Sequence, residues 1–340
     1  MAKGNAVVHD QLTVCSVFYD AFTLACLRLN VGFTNSRNVL GPSGWIVADN
    51  SPSKSLPDGR PEEVEIVQGP PPDPAIPAPV RGSYQHGRAL NSIITRVETR
   101  YALVLDCDFF IVQPDWASNI VEHAATGRLA FFGAPWHPRW FNKYRGFPCV
   151  HCLLIDLAVV DPGDLDFQPD LVDDLAAIAD PVDGTGGDRI AASQGRLRTV
   201  ANNLRSIILL RDRATIRSSR DTGIHLYDRF GNDRTIRFEC LQPVFRPHQH
   251  FVGPRHARGA LNRLVERLLP ERLCFFPKRS ETYSETGFRD VDLYDADALG
   301  WEEFLWQGSA FGFHLRGFQN RRDDRQSLQD LETALATFTL

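Results

Sequence analysis

The stretch YALVLDCDFFIV, running from Tyr101 to Val112, decides how this chain is read. Its first five residues are apolar without alternation. That is the pattern of a strand buried on both faces, and so of a parallel sheet covered by helices. The run then meets Asp106-Cys107-Asp108 and becomes apolar again at Phe109-Phe110. A carboxylate in apolar surroundings is costly unless it is paired or holds a metal. On an extended backbone, residues i and i+2 point the same way, so Asp106 and Asp108 can share one hard cation. Mg²⁺ or Mn²⁺ suits such an oxygen set. The competing reading is a pair of solvated acids opening a loop.

Working back from this stretch, HGRALNSIITRVETR (86–100) has helical spacing, with Leu90, Ile93, Ile94 and Val97 on one face. Before it lies PPPDPAIPAP, too rich in proline for a helix or a central strand. VEIVQ (64–68), WIVAD (45–49) and LTVCSVFY (12–19) read as strands, the second stopped by Asn50-Ser51-Pro52. Between the last two, DAFTLACLRLN (20–30) reads as a helix through Phe22, Cys26 and Leu29. Downstream, LAFFGAP (129–135) and CVHCLLIDL (149–157) are further strands around an aromatic loop, WHPRWFNKYRGFP. Helical patterns follow over 170–180, 187–195, 203–213, 221–230, 260–273 and 323–337, the last with Leu328, Leu331 and Leu335 on one side. The alternation predicts an α/β fold: a mostly parallel central sheet with helices on both faces. In such sheets ligands bind beyond the carboxyl ends of the strands, where Asp49, Asp106 and Asp108 fall.

Composition narrows the function. The chain has 340 residues, 37 Lys and Arg against 42 Asp and Glu, and a net charge of −5. That size gives one large domain or two medium ones. The acidic balance argues against nucleic acid as a partner, which needs a basic footprint. Lys3, Lys54, Lys143 and Lys278 are the only lysines. The arginine bias fits bidentate phosphate binding or a codon preference. MAKGNAVVHDQ has no apolar run like that of a signal peptide, and no stretch approaches the roughly 20 apolar residues of a transmembrane helix. Seven scattered cysteines suit reduced thiols in a cytoplasmic protein, with peripheral contact at a membrane left open.

The succession LTVCSVFYD, WIVADNSP, HGRALNSI and YALVLDCDFFI resembles the nucleotide-sugar half of GT-A fold glycosyltransferases, nearest to family 2-type enzymes and their bacterial relatives. Most specific is the ALN helix directly before a strand ending in D-x-D. The resemblance spans residues 10–160 and fades beyond. It implies a Rossmann-like sheet, a UDP- or GDP-linked sugar donor, Mn²⁺ or Mg²⁺, and a hydroxyl acceptor, saccharide or lipid-linked saccharide. It also implies a division into a nucleotide-sugar-binding half (10–115), an acceptor-binding half of the same domain (116–322) and a C-terminal helix (323–340). By position, Asp49 would meet the nucleobase, and Asp106 and Asp108 the ribose and metal-bound diphosphate. Arg88 and Asn91 would lie near the donor.

Phe313-His314-Leu315-Arg316-Gly317 resembles the C-terminal H-x-x-G of several GT-A enzymes. This makes His314 a candidate third metal ligand and Arg316 a diphosphate fork. A histidine capping a strand is the alternative for His314. An inverting transferase needs a general base. Asp221, in D-T-G-I-H-L, is the first candidate and Asp188 the second; both also read as helix N-caps. A retaining enzyme would need neither.

Other signals are thinner. Cys149 and Cys152 look like half a zinc site but fall on opposite sides of a strand, with no second C-x-x-C. His248, His250 and His256 are a metal set or a polar loop. Trp136, Trp140, Phe141 and Tyr144 stack on a sugar or pack a core. Gly184-Thr185-Gly186-Gly187 lacks the Lys-Ser/Thr of a phosphate-binding loop. A HAD-type phosphatase also carries D-x-D after an apolar strand, but expects Thr or Val where Phe110 stands, and on the first strand. A catalytically silent protein that keeps the sheet is the reading from a different class.

Overall fold

The computed structural model describes residues 11–52, 64–76, 78–137, 146–170, 222–245, 283–284, 287, 301–315 and 324–338. Two sheets organise them. The larger has seven strands in the order β3-β2-β1-β4-β7-β6-β8. In chain order these are β1 (Leu12–Phe18), β2 (Gly44–Asp49), β3 (Val64–Gln68), β4 (Tyr101–Leu105), β6 (Phe131–Pro135), β7 (Pro148–Asp156) and β8 (Phe238–Cys240). The pairs β1–β2, β2–β3, β1–β4 and β6–β8 are parallel, and β7 runs antiparallel to both its neighbours. The sheet is mostly parallel, as its unalternating apolar strands require.

Each strand feeds two cores. Leu12, Val14 and Phe18 of β1 and Tyr101, Leu103 and Leu105 of β4 point to one face. Cys15 and Val17, with Ala102 and Val104, point to the other. The first face is covered by α1 (Ala21–Arg37) and α3 (Trp116–Gly127), through Leu24, Leu27, Val31, Trp116 and Ile120. The second is covered by α2 (Ala78–Ile94) and α4 (Ile224–Phe230), through Leu90, Ile93, Ile94 and Leu226. Helices therefore lie on both faces of an α/β sheet.

The second sheet has four strands in the order β5-β11-β10-β9: β5 (Phe109–Ile111), β9 (Gln242–Pro243), β10 (Glu302–Trp306) and β11 (Ser309–His314). It accounts for a difference from the sequence reading. The stretch 101–112 is not one strand. It is β4 in the large sheet and β5 in the small one, separated by a turn over Asp106-Cys107-Asp108. A uniform apolar pattern does not distinguish one long buried strand from two short ones in different sheets.

Helix α1 has apolar residues on two sides for the same reason. Beyond its contact with the large sheet, its Phe22, Cys26 and Phe33 pack against Phe110 and Val112, Phe313 of β11, and Leu331 and Leu335 of α5 (Asp324–Ala336). Its start is fixed by Asp20: the carboxylate accepts from Thr23 N at 2.7 Å, while Asp20 N donates to Thr23 Oγ1 at 2.9 Å. Helix α2 begins at Ala78 rather than at His86. Pro79 falls in its first turn, where a backbone N–H has no intrahelical partner to lose. At the far end of β4, Arg100 donates to both oxygens of the buried Asp156 of β7, at 3.1 and 2.7 Å, and fixes that antiparallel register.

Gly312 is required where β11 meets β5. A Cβ there would lie 2.6 Å from the carbonyl oxygen of Phe110 and 2.9 Å from the Phe109 ring. Neither can yield without parting the strands. Gly312→Ala should therefore cost about 1–3 kcal/mol of stability, read from the urea midpoint.

Candidate metal centre

The site begins where β4 ends. Ser16 Oγ donates to Leu105 O at 2.7 Å, and Asp106 N donates to His151 O at 3.0 Å. The turn then closes through Phe109 N to Asp106 O at 2.9 Å. From beneath, the buried Asn30 of α1 donates its side-chain amide to Phe109 O at 2.7 Å and to Cys107 O at 3.4 Å. Across the turn, Leu315 N donates to Asp108 O at 3.0 Å. The Cys107 side chain goes into the core beside Leu105 and Phe109.

Pairing of β5 with β11 places His314 opposite Phe109, the residue after Asp108. One donor atom from each of Asp106, Asp108 and His314 lies within 4.8 Å of the others. His314 Nε2 is 3.3 Å from Asp108 Oδ1 and 3.7 Å from Asp106 Oδ2. The side chain of Asp106 is the most open of the three, at 19% exposure against 10% for Asp108 and 3% for His314. The group is thus approached from the Asp106 side. The other Asp106 oxygen, Oδ1, lies 3.5 Å from Nε2 of His86 on α2.

The donor set is chemically coherent. Two carboxylate oxygens and one imidazole nitrogen suit Mn²⁺ or Mg²⁺. The sulfur between the two acids is unsuited to ligation: burial first, and then the charge of Asp108, hold the Cys107 thiol well above its ordinary range. The His314 ring packs against His151, stacked at 4.8 Å between centroids, and against Phe109 at 5.8 Å, and those two rings are themselves 5.8 Å apart. His151 is itself held by Cys149 Sγ, 2.6 Å from its Nδ1.

The other candidate residues are placed as follows. Asp49 ends β2, buried, two strand spacings from β4, or about 10 Å. Its Oδ1 accepts from Ser51 N at 2.7 Å; its Oδ2 has no hydrogen-bond partner among the described residues. Arg88 and Asn91 stand on α2. Arg88 donates to Pro71 O and lies over the Tyr84 ring. Asn91 has both ends of its amide engaged, donating to Asp166 Oδ1 and accepting from Phe167 N, each at 2.9 Å. His86, two residues before Arg88, is the α2 side chain that reaches Asp106. Trp136 is buried edge-on to His151, and Cys149 and Cys152 belong to opposite faces of β7. Asp188, Asp221 and Arg316 lie outside the described residues, as do Gly184–Gly187, Trp140, Phe141, Tyr144, His248, His250 and His256.

No known family and no curated protein matches the chain by sequence. Among solved structures, it is similar to the mannosyltransferase PcManGT from Pyrobaculum calidifontis, determined in complex with GDP-Man and Mn²⁺. That match has 13% identity and a TM-score of 0.33, and covers 52% of each chain. It is also similar to TarS 1-349 of S. aureus, with 11% identity and a TM-score of 0.31, over 46% of this chain and 50% of that one. The chain thus spans about half the length of each. Overlap this slight carries no argument about family or activity.

The turn depends on Asn30. Asn30→Ala leaves the buried carbonyl of Phe109 without its donor and should cost about 1–3 kcal/mol in a denaturant titration.

Proposed function

We propose that this chain is a metal-dependent glycosyltransferase that moves a sugar from a nucleoside-diphosphate sugar to a hydroxyl acceptor in glycan or glycolipid synthesis. One observation carries the reading: His314, far away in sequence, converges with Asp106 and Asp108 at the carboxyl end of a central parallel strand. This is where α/β sheets bind ligands. In this reading the three residues hold Mn²⁺ or Mg²⁺. When bound, the ion supplies a Lewis acid for the charge that grows on the departing diphosphate.

The chain's own groups do the rest. Asp49 Oδ2, a buried acceptor with capacity to spare, takes an N–H of the base, uracil or guanine. Arg316, two residues beyond His314, meets diphosphate oxygens. Asp221 removes the proton from the acceptor hydroxyl in an inverting transfer, and Asp188 is the second candidate for that role. Residues 10–115 form the donor half, 116–322 the acceptor half and 323–340 a closing helix. The acceptor is a saccharide or a lipid-linked saccharide. No helix among the described residues is long and apolar enough to cross a membrane. The described cysteines Cys15, Cys26, Cys107, Cys149, Cys152 and Cys240 form no disulfide among the described residues, a usage that supports a reducing, cytoplasmic setting.

A thermal-shift screen of UDP and GDP with and without Mn²⁺ tests the reading. The melting temperature should rise only when nucleotide and metal are both present. A silent binding protein could show this shift, but it would not slowly release nucleoside diphosphate from the donor. The absence of both shift and release would sink the proposal. Asp108→Asn should abolish transfer with the fold intact, and His314→Ala should weaken Mn²⁺ binding in a metal titration. Asp221→Asn should lower kcat by about 10²–10⁴ with the donor KM little changed; equal losses in both would mark a structural cap.

A further inference from the structure

Glu302 opens β10 in the apolar run WEEFLW and is fully buried, at 0% exposure. An acid in such a strand is costly without a compensating role. Pairing of β10 with β11 sets Glu302 directly opposite His314. Its Oε2 lies 3.6 Å from His314 Nδ1. The ring's other nitrogen, Nε2, faces Asp108 and Asp106 at 3.3 and 3.7 Å. The two polar edges of one imidazole thus face carboxylates in two different settings. Asp106 and Asp108 stand on the accessible side, whereas Glu302 is sealed within the sheet. His151 stacks on the ring and Phe109 packs obliquely beside it. Neighbouring Glu303 points to the opposite face of the strand by alternation, and its backbone carbonyl receives Val244 N.

We infer that Glu302 is a positioning residue that keeps the His314 proton on Nδ1, so that the Nε2 lone pair points at the metal position between Asp106 and Asp108. It acts through His314 and touches neither substrate nor ion. The inference rests on the metal reading proposed above. Its physical basis is general: a ligating imidazole gives its second N–H to a carboxylate, which fixes the tautomer and strengthens the ligand. An apolar residue at 302 would pack the strand equally well but would leave the ring free to carry its proton on either nitrogen.

The test uses the full chain and Mn²⁺ alone, titrated by water-proton relaxation, in the wild type, Glu302→Gln and Asp108→Asn. The expected result is binding about ten- to a hundredfold weaker in Glu302→Gln and absent in Asp108→Asn. If Glu302→Gln binds as tightly as the wild type while Asp108→Asn does not bind, the role of Glu302 is overturned and the metal reading stands. If the wild type binds no Mn²⁺, the metal reading fails instead. A second measurement then decides on Glu302, and also serves if Glu302→Gln does not fold. ¹⁵N spectra of the metal-free wild type, at a pH where the ring is neutral, should place the His314 proton on Nδ1. A proton on Nε2 overturns the inference. So does a variant that loses stability alone, with affinity and tautomer as in the wild type.

Discussion

The side-chain amide of Asn30 reaches from α1 to the carbonyl oxygens of Phe109 and Cys107, and the path of the chain after Leu105 depends on it. There the backbone breaks at Asp106-Cys107-Asp108 and re-enters a different sheet. Inside a protein a satisfied polar group of this sort is worth more as geometry than as net stability, because few alternative arrangements satisfy it. Ser16, His151 and Leu315 hold the turn from other directions. The acids are therefore set by a rigid frame of main-chain contacts, with their side chains left for chemistry.

The frame also concentrates negative charge. Asp106, Asp108 and Glu302 surround His314, and His86 is the other basic group paired with Asp106. Carboxylates this close, in a site of low exposure, repel one another strongly. A divalent cation, held as proposed above, would offset that repulsion.

Much of this was legible in the sequence. Unalternating strands announced the covered parallel sheet, and D-x-D at the end of one of them marked the acids. His314 entered only through the resemblance of its short motif to H-x-x-G, and the pairing of β5 with β11 sets it beside the two acids. The second sheet was not readable: β5 is only Phe109–Ile111, and its partners lie near residue 310. Periodicity cannot report a pairing over that distance. His86 was hidden because a helix face read by its apolar residues says nothing about which polar residue meets a strand end. Glu302 carried the same signal as Asp106, an acid inside an apolar run, but without a second acid at i+2 it did not register. Asn91, placed near the donor by the resemblance, joins its helix to the 166–167 segment through both ends of its amide.

The pairing of Phe109 with His314 has a consequence for biosynthesis, since 314 − 109 = 205 residues separate the two. A chain emerging from the ribosome has both aspartates outside long before the histidine is made. Over that interval β5 lacks its partner strand, and Phe110 of β5 and the following Val112 have no Phe313 to pack against. Closing so long a loop is slow, and exposed strand edges invite wrong partners meanwhile. Maturation of the site is therefore a late event in the life of the polypeptide, timed by translation of its distal strands.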